Sequence, residues 1–183
     1  MKLKVSSNLY LRPLNQLDLK GKYTDWFNDF LVTKYSSHGK FFKPKDYYSA
    51  YIKEANNEKS IVLALMHTKE GHIGNISLQN ISQIDQNAEF AIIIGDKKYW
   101  NKKTAYRASF QIIYHGFLKL NLNKIYCGTA KSNIGMNKLA QKLGMKREGC
   151  RQKQLFLNGK FDDLIEYGIL RKQFINTKNI QIK

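Results

Sequence analysis

The most constraining feature of this sequence is an apolar run that ends abruptly. Residues 88–94 read Ala-Glu-Phe-Ala-Ile-Ile-Ile. Seven residues suit a strand better than a helix, and β-branched side chains fill a strand well. With so little polar alternation the run is expected to be buried on both faces, as strands inside an α/β sheet are. Gly95 and Asp96 then break it. A polar, lysine-rich loop follows, and residues 104–120 place apolar side chains at helical spacing. A buried strand feeding a long helix through a polar loop belongs to a layered fold with helices packed on a sheet.

The rest of the chain agrees. Residues 8–12, 60–67, 73–78 and 124–129 read as strands. Residues 18–29 and 45–56 read as helices, the first with Leu19, Tyr23, Trp26, Phe27 and Phe30 near one face. Residues 133–143 read as a helix stopped by Gly144 in a left-handed cap. Residues 145–157 and 161–170 flank Asn158-Gly159, the favoured two-residue hairpin turn. The expectation is an α/β (α+β) fold: a mixed sheet of six or seven strands flanked by four helices. One domain spans residues 1–171, and residues 172–183 form a polar tail.

Composition narrows the function classes. The chain has 183 residues, 43% hydrophobic and 25% charged, which is ordinary for one globular domain. No apolar run approaches the ~18–20 residues of a membrane span, and no secretory signal is expected at the start. Cys127 and Cys150 are too far apart in sequence for a metal-spaced cluster, so neither metal nor disulfide is expected, and a cytoplasmic setting is. The net charge of +17 favours anionic partners. The lysines are spread along the chain and no RNA-binding aromatic signature is present, so nucleic acid is not the expected partner. Against this stands the plainer reading of a basic, solvated surface.

The loop before residue 104 is the place for an anionic ligand. The first turn of a long helix offers unpaired N–H groups and the positive end of the macrodipole. Lys97, Lys98, Lys102 and Lys103 add charge there. Without further support such a loop is as readily explained as solvated surface.

Residues 88–95 together with Tyr99-Trp100-Asn101-Lys102-Lys103-Thr104-Ala105 resemble the coenzyme A-binding core of the GNAT superfamily of N-acetyltransferases, closest to its RimJ/RimL-like and amino-sugar branch. His72-Ile73-Gly74-Asn75-Ile76, the stretch from Asn133 to Leu143-Gly144-Met145, and Glu148-Gly149, Phe156, Asn158-Gly159-Lys160 and Asp163 match in the same order. Arg12-Pro13-Leu14 and Trp26-Phe27-Asn28-Asp29 extend the match towards the start.

The resemblance implies an acetyl-CoA-dependent enzyme with no metal. Two strands would splay apart to admit the pantetheine arm, with Ile93 and Ile94 offering backbone hydrogen bonds. Lys98, Asn101, Lys102, Lys103, Thr104 and Ala105 would hold the pyrophosphate, and Asn133 would contact the coenzyme. Glu89 is the candidate base for the attacking amine, the alternative being that it merely pairs with a lysine. Trp26, Asn28 and His38 would face the acceptor. Two departures stand out. The loop's usual glycines are replaced by Asn101 and Lys103, and the usual Tyr acid of the following helix is Ala140. Asn tolerates left-handed backbone, so Asn101 can serve for glycine. At Lys103 glycine would be needed for proximity.

The acceptor implied is a small-molecule primary amine, first an amino sugar, phosphorylated or nucleotide-linked. The alternatives are a protein N-terminus, or a degenerate fold that binds without catalysis. Pairing of edge strands would be the route to a homodimer.

Overall fold

The computed structural model describes residues 2–41 and 43–177. Eight strands form one sheet in the order β1-β2-β3-β4-β5-β6-β8-β7. They are β1 (Leu3–Lys4), β2 (Leu9–Pro13), β3 (Ile61–His67), β4 (Gly71–Ser82), β5 (Asn87–Ile94), β6 (Lys124–Ala130), β7 (Lys146–Leu157) and β8 (Lys160–Leu170). All neighbours are antiparallel except β5 and β6. That parallel pair needs a crossover, and α4 (Thr104–Lys119) supplies it, packed on β4, β5 and β6.

Alternation along the strands divides the core. Leu63, Leu65, Ile76, Leu78 and Phe90 join Ala108, Ile112 and Phe117 of α4 on one face. Val62 and Ala64 point the other way, to Tyr23, Trp26, Phe27 and Ile52. This second layer holds α1 (Asp25–Asn28), α2 (Phe30–Thr33) and α3 (Lys45–Glu54). The mixed α/β architecture is as expected, with eight strands and six α-helices among the described residues against the six or seven and four anticipated.

The single helix expected over residues 18–29 is instead two pieces, a 3-10 turn and α1, with α2 starting just beyond. Asn15 and Asp18 close a capping box that locks residues 16–20 into a 3-10 turn, and Asp29 adopts extended backbone to cap α2. Tyr23, Trp26 and Phe27 are buried as the pattern required, but Phe30 falls beyond the break and is exposed.

Several local readings hold. Gly144 ends α5 (Ile134–Leu143) at φ 91°, and Asn158 and Gly159 turn the β7–β8 hairpin at φ 53° and 80°. The polar tail is corrected. Its first residues form α6 (Arg171–Thr177), and Phe174 is fully buried against Phe110 and Phe117. The remainder of that tail lies outside the described residues.

Candidate active site

The site starts where β5 and β6 part. Their register covers only Asn87–Lys124, Ala88–Ile125 and Glu89–Tyr126. Beyond Glu89, β5 keeps its ladder to β4 as far as Ile94, while β6 continues beside β8 to Ala130. A wedge opens between two strands of one sheet, edged by unpaired backbone groups. It also explains a shortfall in burial: Ala91, Ile92, Ile93 and Ile94 are only half-buried, not buried on both faces as the sequence suggested.

Backbone direction decides which residues face the wedge. Gly95 N donates to Ile73 O at 3.0 Å, and the Ile93 carbonyl points at β4 beside Gly74. In an antiparallel ladder the polar groups of alternate residues point the same way. Ile93 is therefore turned to β4, whereas Ile92 and Ile94 turn their N–H and C=O towards the wedge. Of the expected pair, Ile94 is placed there and Ile93 is not. Ile92 was missed, although counting by twos from the break at Gly95 would have found it.

The loop beyond β5 leads into α4, whose Lys103 N-cap gives no side-chain hydrogen bond to the first-turn amides. The N–H groups of Thr104 and Ala105, at the start of this 16-residue helix, are placed to meet an anion. Asn101 sits at φ 56°, the left-handed backbone for which the usual glycine would serve. Lys103 has φ −69°, so nothing there demands glycine for its dihedral. Lys98 lies 3.6 Å from Glu70, Lys102 covers the Tyr99 ring, and the Lys103 ammonium has no partner among the described residues. Thr104 is buried at the helix start and Ala105 is half-buried. Asn133 caps α5, its side-chain oxygen accepting from Met136 N at 3.1 Å. A wedge lined by strand amides and ending at the start of a long helix suits an extended amide-bearing arm that terminates in a diphosphate.

On the face opposite α4, Glu89 stands at the apex of the wedge. Its Oε2 accepts from Asn80 Nδ2 at 2.9 Å, and it forms no ion pair among the described residues, so the lysine partner considered for it is absent. It borders a cavity of about 530 Å³ shared with Asn87, Tyr126, Gly128 and Leu164. Glu148 and Glu166 also line it, each neutralised, by Lys124 and Arg151 at 2.7 Å. Cys127 lies beneath, its thiol pushed up to about 12 by burial and then by Glu89, which removes it as a nucleophile.

The acceptor-side residues separate. Trp26 is buried, its ring flat against Gly95; a Cβ at that glycine would fall 1.9 Å from the indole. Trp26 therefore anchors the helical layer to the end of β5, and no face of it is left for a ligand. Asn28 is exposed on α1. His38 is exposed, with its ring 5.1 Å from Phe27; partial desolvation and then Lys43 lower its pKa. His72 lies in β4, between Asn75 Oδ1 at 2.7 Å and Asp18 at 3.4 Å, with Tyr23 stacked on it. The segment after α2 crosses to the hairpin tip: Lys40 Nζ donates to Phe156 O at 2.8 Å, and Asn158 Nδ2 to Lys34 O at 3.2 Å. It thus bridges from the end of β5 to the tip of β7–β8, over the open mouth of the wedge. Asp163 holds Lys153 N and Lys131 and so secures the hairpin.

Among the described residues no three His, Cys, Asp or Glu gather as a metal site, and no helix is long and apolar enough to cross a membrane.

Comparison with known proteins agrees with this geometry. The spermidine N(1)-acetyltransferase of Escherichia coli K12 is 29% identical over 168 residues, 90% of this chain and 87% of that protein. A crystal structure of spermidine N-acetyltransferase from Vibrio cholerae in complex with CoA and spermine superposes with TM-score 0.83 at 26% identity, covering 93% of this chain and all of that one. RimL, a ribosomal L7/L12 alpha-N-protein acetyltransferase in complex with coenzyme A, shares the fold at TM-score 0.84 and 14% identity, covering 93% of this chain and 98% of that one. Residues 8–146 match the profile of the acetyltransferase (GNAT) domain, three-quarters of the sequence. The chain belongs to the GNAT family and is an N-acetyltransferase whose acyl donor is acetyl-CoA.

Proposed function

We propose that this enzyme acetylates the primary amine of an acceptor that also carries phosphate, such as a phosphorylated or nucleotide-linked amino sugar. The observation that carries the reading is the segment over the mouth of the wedge. That segment, residues 34–41, carries Lys34 and Lys40 and no carboxylate. A wall of that charge favours an anionic acceptor and disfavours a polycation. The net charge of +17 adds long-range attraction of the same sign.

In this reading the coenzyme lies in the wedge, its arm along Ile92 and Ile94, with Ile94 N–H within the strand's outward row of donors. Lys98, Asn101, Lys102, Lys103, Thr104 and Ala105 surround the diphosphate, and Asn133 flanks it from α5. Glu89 accepts the proton of the attacking ammonium. Alkyl ammonium groups titrate near ~10 and α-amino groups near ~8, so the proton must go before attack. A carboxylate at the wedge apex with only a neutral amide partner is free to take it, directly or through water. Ala140 is fully buried in α5 and offers no acid, so the thiolate leaves as such or takes a proton from water.

A polyamine acceptor is the second reading. The relatives named above favour it, and so does the carboxylate set of Glu89, Glu148 and Glu166 around one cavity. Thiol release measured over a panel of a nucleotide-linked amino sugar, a phosphorylated amino sugar, spermidine and a peptide N-terminus separates them. The expected result is the highest kcat/KM for a phosphate-bearing amine, with KM rising as salt is added. Spermidine as the best acceptor would replace the first reading by the second. On the best acceptor, Glu89→Gln is expected to lower kcat by ~10²-fold with coenzyme affinity unchanged; full activity would remove Glu89 as the base.

A further inference from the structure

We infer that Trp100 is a positioning residue that fixes the register of the pantetheine arm in the wedge. The inference rests on the placement of the coenzyme between β5 and β6 given above. Its starting point is one hydrogen bond: Trp100 Nε1 donates to the carbonyl of Ile94 at 2.8 Å, in a half-buried setting. Ile94 is the last residue of β5, and its carbonyl is one of the groups turned to the wedge rather than to β4.

The consequence follows from how an extended chain pairs with a strand edge. Ile92 and Ile94 each present one donor and one acceptor to the wedge. Left open, they would offer two acceptors, two residues apart along the strand, about 6.6 Å. An arm with its own amide N–H groups could pair with either. Only one of these registers brings the thioester level with Glu89. Trp100 occupies the outer acceptor and leaves Ile92 C=O as the one without a side-chain partner, so the inner register is favoured.

The loop holds Trp100 there. Asn101 at φ 56° turns the chain directly after it, and the Trp100 amide N–H donates to Lys97 O at 3.1 Å. On the far side Lys97 Nζ is bonded to Asp29 Oδ2 at 2.7 Å, and Gly95 is covered by Trp26. In a loop without its usual glycines, the path is set by these side-chain ties.

Trp100→Phe keeps an aromatic ring and removes the donor. With Ile94 C=O uncovered, part of the bound coenzyme should occupy the outer, non-productive register. Non-productive binding lowers kcat and KM together and leaves their ratio alone. The expected result for acetyl-CoA is a fall of threefold or more in both kcat and KM, with kcat/KM within twofold of wild type and Tm unchanged. An unaltered kcat, or a loss expressed in kcat/KM, overturns the inference. A second measurement uses the unaltered protein, which has two tryptophans. Hydrogen exchange at the Trp100 indole N–H, followed by NMR, should slow or stay slow when CoA binds; faster exchange would mean that the arm displaces Trp100 and would equally overturn it. Absence of CoA binding by the wild type would instead defeat the placement of the coenzyme itself.

Discussion

Asp18 shows how a buried charge is kept in this fold. Its side chain is 3% exposed, held by Arg12 through hydrogen bonds of 2.8 and 2.5 Å and facing His72. Burial alone would raise its pKa. The Arg12 hydrogen bonds, with His72 close by, outweigh burial and hold the carboxyl well below its usual range. A folded-state pKa below the unfolded one contributes stability above the unfolded value, near 4, and that contribution is lost as pH falls below it. Thermal melts from pH 7 to pH 3 should therefore show wild-type Tm dropping below pH 4. Asp18→Asn should already be less stable at pH 7 by about 3 kcal/mol, because the half-buried Arg12 loses its counter-charge. Equal Tm values at pH 7 would contradict this. None of the network was visible in the sequence: Arg12, Asp18 and His72 are up to sixty positions apart, and no local pattern links them. The same holds for Trp26 on Gly95, where an aromatic residue expected to meet substrate proves to be a packing contact.

At the scale of elements, the loop after β5 carries the clearest test of residue chemistry. Left-handed backbone costs an ordinary L-residue roughly 1–2 kcal/mol, less for Asn and nothing for Gly. Asn101→Gly should leave coenzyme affinity within twofold of wild type, while Asn101→Ala should weaken it by about fivefold, equivalent to ~1 kcal/mol. Calorimetric titration with CoA reads both, and identical affinities for the two variants would show that the dihedral at Asn101 does not shape the loop. Elements with a strong periodic signal were legible: the helix after the loop, α5 with its Gly144 stop, and the hairpin around Asn158-Gly159. The segment at residues 18–29 was not. Its apolar spacing is helical, yet side-chain bonds from Asn15, Asp18 and Asp29 compete with the helix ladder and break it into short turns. β1, two residues long, gives no pattern to read.

Over the whole molecule, the fold was readable because the order of strands, helices and turns admits few topologies. The site was readable only in part. A sequence shows that β5 leads into a loop and a helix; it does not show where β6 leaves β5, and that point decides which backbone groups are free. The central claim is that Ile92 and Ile94 face an open wedge that takes the acyl carrier, while Ile93 is already bonded to β4. Residue-resolved amide hydrogen exchange with and without saturating CoA tests it most directly. Slower exchange at Ile92 and Ile94 on CoA addition, with Ile93 little changed, is the predicted result. An unchanged pattern along β5 in protein shown by calorimetry to have bound CoA would contradict it.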